Sequence, residues 1–234
     1  MRPSKTVLFF SIFALSAASS PRAHAALGIP NPQPPTPPVD TTPTQPIQPT
    51  PQKEWTFLIY LNGNNNLDSY GALNINQMEQ VGSTDQLNIV VQWASLANGK
   101  TQRVFVTKDN DTNKVTSPIL QNVGDIDMGS PATLVDFIKW GAENFPAKHY
   151  FVNVWDHGSG WHRFLTLGAA NGRFHANDIS FDDNTGNAIS TEALGRALKQ
   201  ASDAINHRID LYGSDACLMS MAEVAAEMTD SVDV

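Results

Sequence analysis

Cys217 and His157 are of the two residue types that can form a nucleophile and its acid–base partner. Cys217 is the only cysteine among the 234 residues, and each of the two residues follows an apolar run that is typical of a buried strand passing into a turn. In an exported protein a single cysteine cannot form an internal disulfide, so the thiol is either a small buried apolar group or a reactive one. A lone thiol and a histidine, each at the exit of a strand, indicate nucleophilic catalysis by cysteine.

The elements that must position these residues follow from the apolar pattern. The predicted strands cover residues 55–61, 87–94, 149–155 and 209–213, with a hairpin formed by 103–107 and 115–120 and a short strand near 179–181. The predicted helices cover residues 73–81, a segment opened by Ser130 and Pro131, a segment capped by Ser190, and residues 219–228. The core face of the second helix is predicted to carry Leu134, Phe137, Ile138 and Gly141.

This alternation of strands and helices predicts an α/β fold, with a mostly parallel central sheet flanked by helices. In such sheets, chemistry takes place beyond the carboxyl ends of the strands. His157 follows the strand at 149–155 and Cys217 follows the strand at 209–213. If these two strands are neighbours, both side chains reach one edge of the sheet.

The N-terminal segments have compositions of their own. Arg2 and Lys5, an apolar run over residues 7–18 and the Ala23-His24-Ala25 sequence predict a cleaved signal peptide over residues 1–25, too short for a membrane span. Residues 26–53 are crowded with Pro, Thr and Gln, which is typical of a disordered linker. The folded domain is therefore expected over residues 54–234, in a secreted or periplasmic protein.

Charge excludes one class of partner. The formal net charge is −8, and removal of the leader, which carries Arg2, Lys5 and Arg22 and no acidic residue, makes it −11. Nucleic-acid binding demands a basic face, so no nucleic-acid partner is expected.

Four motifs in order resemble the clostripain family of cysteine peptidases, relatives of caspases, gingipains and legumains. The similarity runs from about Trp55 to the end of the chain and implies a caspase-like fold. The motifs are residues 55–61 with the Asn-rich loop that follows, residues 128–134, residues 156–161, and residues 215–219 followed by Glu223.

The resemblance implies roles for individual residues. His157 and Cys217 would be the catalytic dyad, Asp215 would hold an Arg or Lys side chain of a protein or peptide substrate in the S1 pocket, and self-cleavage would fall at Arg173 or Arg163, with Arg173 favoured. The alternative for Asp215 is an N-cap of the following helix. We expect the backbone N–H groups of Gly158 and Cys217 to form an oxyanion hole.

No metal site is assigned, although some relatives use calcium. Residues 109–114 begin like a calcium loop, but Lys114 stands where glycine is needed and Leu120 where glutamate is needed, so a hairpin turn is expected. The better calcium candidates are Asp178, Asp182, Asp183 and Asn184, with a solvated acidic loop as the alternative. Four further histidines, namely His149, His162, His175 and His207, are expected on the surface or in loops.

The chain ends at Val234, whereas members of the resembling family continue with further strands. We expect a domain truncated at its C-terminus, with residues 230–234 as the start of another strand. The alternative function is a truncated or non-catalytic family member that acts as a binding module or is inert.

Overall fold

The computed structural model describes residues 52–161 and 178–234. The strands are β1 (Lys53–Gly63), β2 (Leu87–Ser95), β3 (Lys100–Phe105), β4 (Ile119–Gly124), β5 (Ala147–Trp155), β6 (Asp178–Asp182), β7 (Asn187–Ser190) and β8 (Leu211–Asp215). The helices are α1 (Asp68–Glu79), α2 (Pro131–Asn144), α3 (Thr191–Ile205) and α4 (Ala222–Ala226). Within these residues, no helix combines the length and apolar character needed to cross a membrane.

Six strands form one sheet in the order β4-β3-β2-β1-β5-β8, and β6 and β7 form a separate antiparallel pair. β1 pairs in parallel with β2 and β5, and β5 pairs in parallel with β8. β3 and β4 are added antiparallel at the other side, as the predicted hairpin requires. The mostly parallel α/β sheet predicted from the sequence is therefore confirmed, and the strands preceding His157 and Cys217 are neighbours.

Alternate residues of the central strands enter two apolar cores, as the two-residue period of a strand demands. Leu58 and Val152 belong to the core that α2 and α3 cover, whereas Ile59 and Leu61 belong to the core that α1 covers. Burial of each such aliphatic side chain contributes about 1.5–3 kcal/mol. Both faces of the sheet are thus covered by helices. Side chains that contact a substrate must therefore come from the loops at an edge of the sheet, such as the carboxyl edge.

The helices partly differ from their predictions. The predicted core face of α2 is buried as expected, but Ser130, although extended at the N-cap position, makes no capping hydrogen bond with its side chain. Ser190 does cap α3, since its hydroxyl accepts a hydrogen bond from the N–H of Ala193 at 3.2 Å. α1 begins earlier than predicted, at Asp68, and the predicted helix at residues 219–228 shrinks to α4.

The last residues lie along the outer edge of β8. Val232 forms a parallel bridge with Ile209, and the N–H of Tyr212 donates to the carbonyl of Val234 at 2.9 Å. These contacts agree with the expectation that residues 230–234 begin another strand.

Candidate active site at the carboxyl edge of β5 and β8

The register of β5 and β8 brings the two candidate residues to corresponding positions. Trp155 pairs with Asp215 at the last position of both strands, and the N–H of Asp156 donates to the carbonyl of Asp215 at 3.2 Å. His157 and Cys217 each follow two residues beyond that pair. Parallel neighbouring strands lie about 4.8 Å apart, so the two residues leave the sheet side by side.

The thiol is accessible to solvent. Cys217 is exposed, whereas His157 is half-buried. The alternative of a small buried apolar cysteine is therefore wrong for this chain. Directly after Cys217 the backbone turns, because Leu218 has a φ of 61°, in the left-handed region that side-chain-bearing residues seldom occupy.

Gly158 lies against the main chain of Cys217. A Cβ at Gly158 would stand 2.6 Å from the carbonyl oxygen of Cys217 and 2.8 Å from Cγ of Met219, so only glycine fits. Gly158 also forms an isolated antiparallel bridge with Ile179. The loop after β5 is thus held close to the loop after β8.

The imidazole of His157 contacts the loop that follows β1. Its Nε2 lies 2.7 Å from Oδ1 of Asn66, and its ring meets the ring of Phe181 edge-on, with centroids 6.4 Å apart and planes at 77°. Sequence reasoning did not select Asn66. The available signal was its place in the Asn-rich loop at the carboxyl end of β1, next to β5.

Asp156, beside the histidine, is buried and joins this loop to β5. Its carboxylate accepts hydrogen bonds from Nδ2 of Asn65 at 2.7 Å and from Nδ2 of Asn62 at 3.3 Å. Burial raises the pKa of Asp156 to about 7, against the opposing effect of the hydrogen bonds from the His157 N–H and from Asn65. The buried Asp156 side chain therefore has a structural role, as an acceptor that joins the loop after β1 to the end of β5.

Asp215 is exposed at the end of β8. The alternative of a helix cap does not hold, because α4 begins at Ala222 and its N-cap is Met221. The side chain of Asp215 is consequently available for other partners.

Several remaining candidates lie apart from this edge or outside the described residues. Arg163, Arg173, His162 and His175 lie outside the described residues, as does the side chain of Asp178. His149 and His207 are partly exposed, and both contact Asp210. His149 belongs to β5, not to a loop.

The calcium candidate Asp182 is a buried acceptor of four hydrogen bonds. Its oxygens accept from Nδ2 of Asn64 and from the backbone N–H groups of Met128, Asn184 and Thr185, at 2.9–3.2 Å. Among the side chains that the structure describes, in residues 52–161 and 179–234, no three His, Cys, Asp or Glu are grouped to hold a metal ion. Residues 109–114 lie in the loop between β3 and β4, as expected for a turn.

The mostly parallel sheet flanked by helices, with cysteine and histidine at neighbouring strand ends, defines a caspase-like α/β protein. The model of the clostripain family matches residues 59–234, and the chain therefore belongs to the clostripain family of cysteine peptidases. No curated protein sequence matches the chain.

Three solved structures share this fold. A secreted cysteine protease from Bacteroides thetaiotaomicron, in complex with an irreversible peptide inhibitor, is 24% identical with a TM-score of 0.58, over 77% of this chain and 47% of that one. A secreted cysteine protease from the same organism, called iotapain, is 19% identical with a TM-score of 0.60, over 78% and 51%. An inactive zymogen from Parabacteroides distasonis is 24% identical with a TM-score of 0.57, over 80% and 48%. The matched part of this chain thus spans about half the length of these proteins.

Proposed function

We propose that this protein is a secreted cysteine endopeptidase that hydrolyses peptide bonds after Arg or Lys, with Cys217 as the nucleophile and His157 as its acid–base partner. The observation that carries the proposal is the register of β5 and β8, which pairs Trp155 with Asp215 and so gives His157 and Cys217 equivalent positions. Membership of the clostripain family supports the reaction class.

The reaction needs one thiol and one imidazole. Cys217 gives its proton to His157 while its sulfur forms a bond to the scissile carbonyl carbon, and His157 then protonates the departing amine as the C–N bond breaks. Water next attacks the thioester, giving its proton to His157, and the sulfur leaves as the carboxylate product forms. A free thiol with the usual pKa of about 8.5 is only a few per cent ionised at neutral pH. A base is therefore needed to form the thiolate, and the imidazole is that base. The exposure of Cys217 is what this attack requires.

Two neighbouring groups complete the proposed chemistry. The N–H groups of Gly158 and Cys217 would donate to the oxygen on which negative charge develops, and the tight contact between these two residues supports that arrangement. Asp215, exposed two residues before the nucleophile, would pair with the Arg or Lys side chain on the acyl side of the cleaved bond.

Export and self-processing belong to the same proposal. The leader over residues 1–25 would be removed on export, which agrees with the description of two structural neighbours as secreted. Self-cleavage would fall at Arg173, with Arg163 as the other candidate in the same segment. Calcium is a candidate cofactor, so activity in the presence of calcium should be compared with activity in EDTA.

Peptide reporters test the proposal directly. The purified chain should cleave reporters ending in Arg or Lys at least about a hundredfold better, in kcat/KM, than reporters ending in Asp, Asn or Gln. Cys217→Ser and His157→Ala should abolish turnover. A folded wild-type protein that cleaves no reporter would contradict the proposal and favour a non-catalytic binding module, and preference for an Asp, Asn or Gln reporter would overturn the assignment of specificity.

A further inference from the structure

We infer that Asn66 is a positioning residue for His157: its side-chain oxygen holds the imidazole by Nε2 and thereby assigns proton exchange with Cys217 to Nδ1. This inference rests on the proposed peptidase function. It adds a third side chain from β1's loop to a site otherwise built from the loops after β5 and β8.

The geometry of one contact carries the inference. Nε2 of His157 lies 2.7 Å from Oδ1 of Asn66, a normal hydrogen-bond distance. An amide oxygen only accepts hydrogen bonds, so the proton of this bond must be on Nε2. In the neutral imidazole the other nitrogen, Nδ1, is then unprotonated and is the one that can take the thiol proton.

The loop that carries Asn66 is held in place by the buried residue before it. Asn65, immediately before it, is buried and donates through Nδ2 to Asp156 Oδ1 at 2.7 Å and to the carbonyl of Phe181 at 2.8 Å. Its own Oδ1 accepts from the N–H of Leu67 at 2.9 Å. The residues on both sides of Asn66 are therefore fixed, which leaves its exposed side chain free to reach the histidine.

The same buried carboxylate fixes the histidine. Asp156 precedes His157 and accepts hydrogen bonds from Asn65 and from the backbone N–H of His157. The Asp156 side chain thus binds the backbone of His157 and the side chain of Asn65, the residue before Asn66, so it fixes the chain on both sides of the contact. A base oriented by a third group is the general requirement of nucleophile activation by histidine.

The first test observes the tautomer and does not depend on catalysis. The ¹⁵N imidazole spectrum of the full chain, with the His157 signals identified by their loss in His157→Gln, should show the proton on Nε2. Asn66→Leu, which has a similar size and no acceptor, should lose that preference. Asn110→Leu, at an exposed position of the loop between β3 and β4, is the matched control and should leave the spectrum unchanged.

The second test measures kinetics with an Arg reporter. Asn66→Leu should lower kcat by about tenfold to a hundredfold, a part of what general acid–base catalysis contributes, with KM nearly unchanged. Asn66→Asp keeps an acceptor and should retain more activity. Its negative charge should move the histidine limb of the pH profile upward by about one unit, because an opposite charge favours the protonated imidazole.

The outcomes separate this inference from the proposed function. A wild-type protein that cleaves no reporter defeats the proposed function, while the tautomer measurement still decides the role of Asn66. A wild-type protein that cleaves, together with an Asn66→Leu variant of equal kcat, overturns the inference alone. A wild-type spectrum with the proton on Nδ1 overturns it as well.

Discussion

Gly158 touches the carbonyl oxygen of Cys217 so closely that a Cβ would stand 2.6 Å from it. This contact joins the loop after β5, which carries His157, to the loop after β8, which carries Cys217. A side chain at residue 158 must therefore separate the two loops.

Gly158→Ala should consequently reduce catalytic activity more strongly than it reduces the stability of the fold. Overpacking of this kind costs about 1–3 kcal/mol of stability, and we expect cleavage of an Arg reporter to fall at least about tenfold because the proposed oxyanion donors move apart. Gly141→Ala is the control, since its added carbon meets the Leu58 side chain in the core, far from the edge. It should lower the denaturation midpoint by a similar amount with kcat nearly intact. Wild-type activity in Gly158→Ala would be incompatible with the proposed role of this contact.

Asp156 should make stability depend on pH in a direction opposite to that of most carboxylates. Burial raises the pKa of Asp156 to about 7 in the folded state, against about 4 for an unfolded aspartate. The folded state then binds the extra proton between pH 4 and 7, so this group's contribution to stability falls as pH rises through that window and stays constant above it.

Urea midpoints measured from pH 4 to pH 8 test this behaviour. Asp156→Asn carries no titrating group and should lack this component of the pH slope, although it keeps only one of the two oxygens that accept from Asn62 and Asn65. Equal slopes in the wild type and the variant would argue against a proton held by Asp156.

Asp210 directly precedes β8, at the end of the strand opposite to Cys217. Its effect on stability should have the pH dependence that is usual for a carboxylate. Burial acts to raise its pKa, but hydrogen bonds from the Tyr150 N–H, at 2.8 Å, and from His149 and His207, at 2.6 Å and 3.0 Å, lower the pKa overall. Its contribution to stability is then fully present above the unfolded pKa near 4 and is lost as pH falls through the lower folded pKa.

Asp210→Asn should cost about 1.5–3 kcal/mol at pH 7, the range for hydrogen bonds to a charged group, and less at pH 3. Asp203→Asn, which breaks an exposed ion pair with Lys199, is the matched control and should change stability little. The two free energies of unfolding can be measured by urea denaturation. An Asp210→Asn variant as stable as wild type at pH 7 would show that the two histidines do not depend on this carboxylate.

Asp215→Asn tests the proposed substrate contact. Loss of one charged partner should reduce kcat/KM for Arg reporters by about ten- to a hundredfold. Reporters without a basic residue should be affected much less. Asp85→Asn, an exposed acidic residue in the loop before β2, should leave both unchanged. Unaltered Arg kinetics in Asp215→Asn would remove Asp215 from the pocket.

The strands of the sheet could be predicted because each is a compact apolar run, and the local sequence of such a run is enough to indicate a strand. β1, β2 and β5 contain each predicted segment and extend it by at most two residues at either end. The order of β5 and β8 was a conditional expectation from the sequence, since local patterns do not state which strands pair.

The hairpin shows where local patterns fail. β4 begins at Ile119, after the predicted start at residue 115, because the preceding loop is held by a distant side chain. Oε1 of buried Glu79, in α1, accepts hydrogen bonds from the N–H groups of Thr116 and Ser117 at 2.9 Å and 2.7 Å. A contact between residues 37 positions apart leaves no periodic signal in either segment.

The candidate site divides in the same way. Cys217 and His157 are distinctive by residue type and by the apolar runs before them, so a sequence pattern selects them. Asn66 is one of four asparagines in residues 62–66, and only the folded arrangement singles out the one that meets the imidazole.

Covalent labelling tests the central claim, that His157 and Cys217 act as one unit. An acyloxymethyl ketone bearing Arg should add its mass to the protein at Cys217, as located by peptide mass spectrometry. The account predicts complete labelling of wild type and none in His157→Ala or Cys217→Ala. Folded wild-type protein without an adduct at high reagent concentration, or equal labelling of His157→Ala, would contradict it.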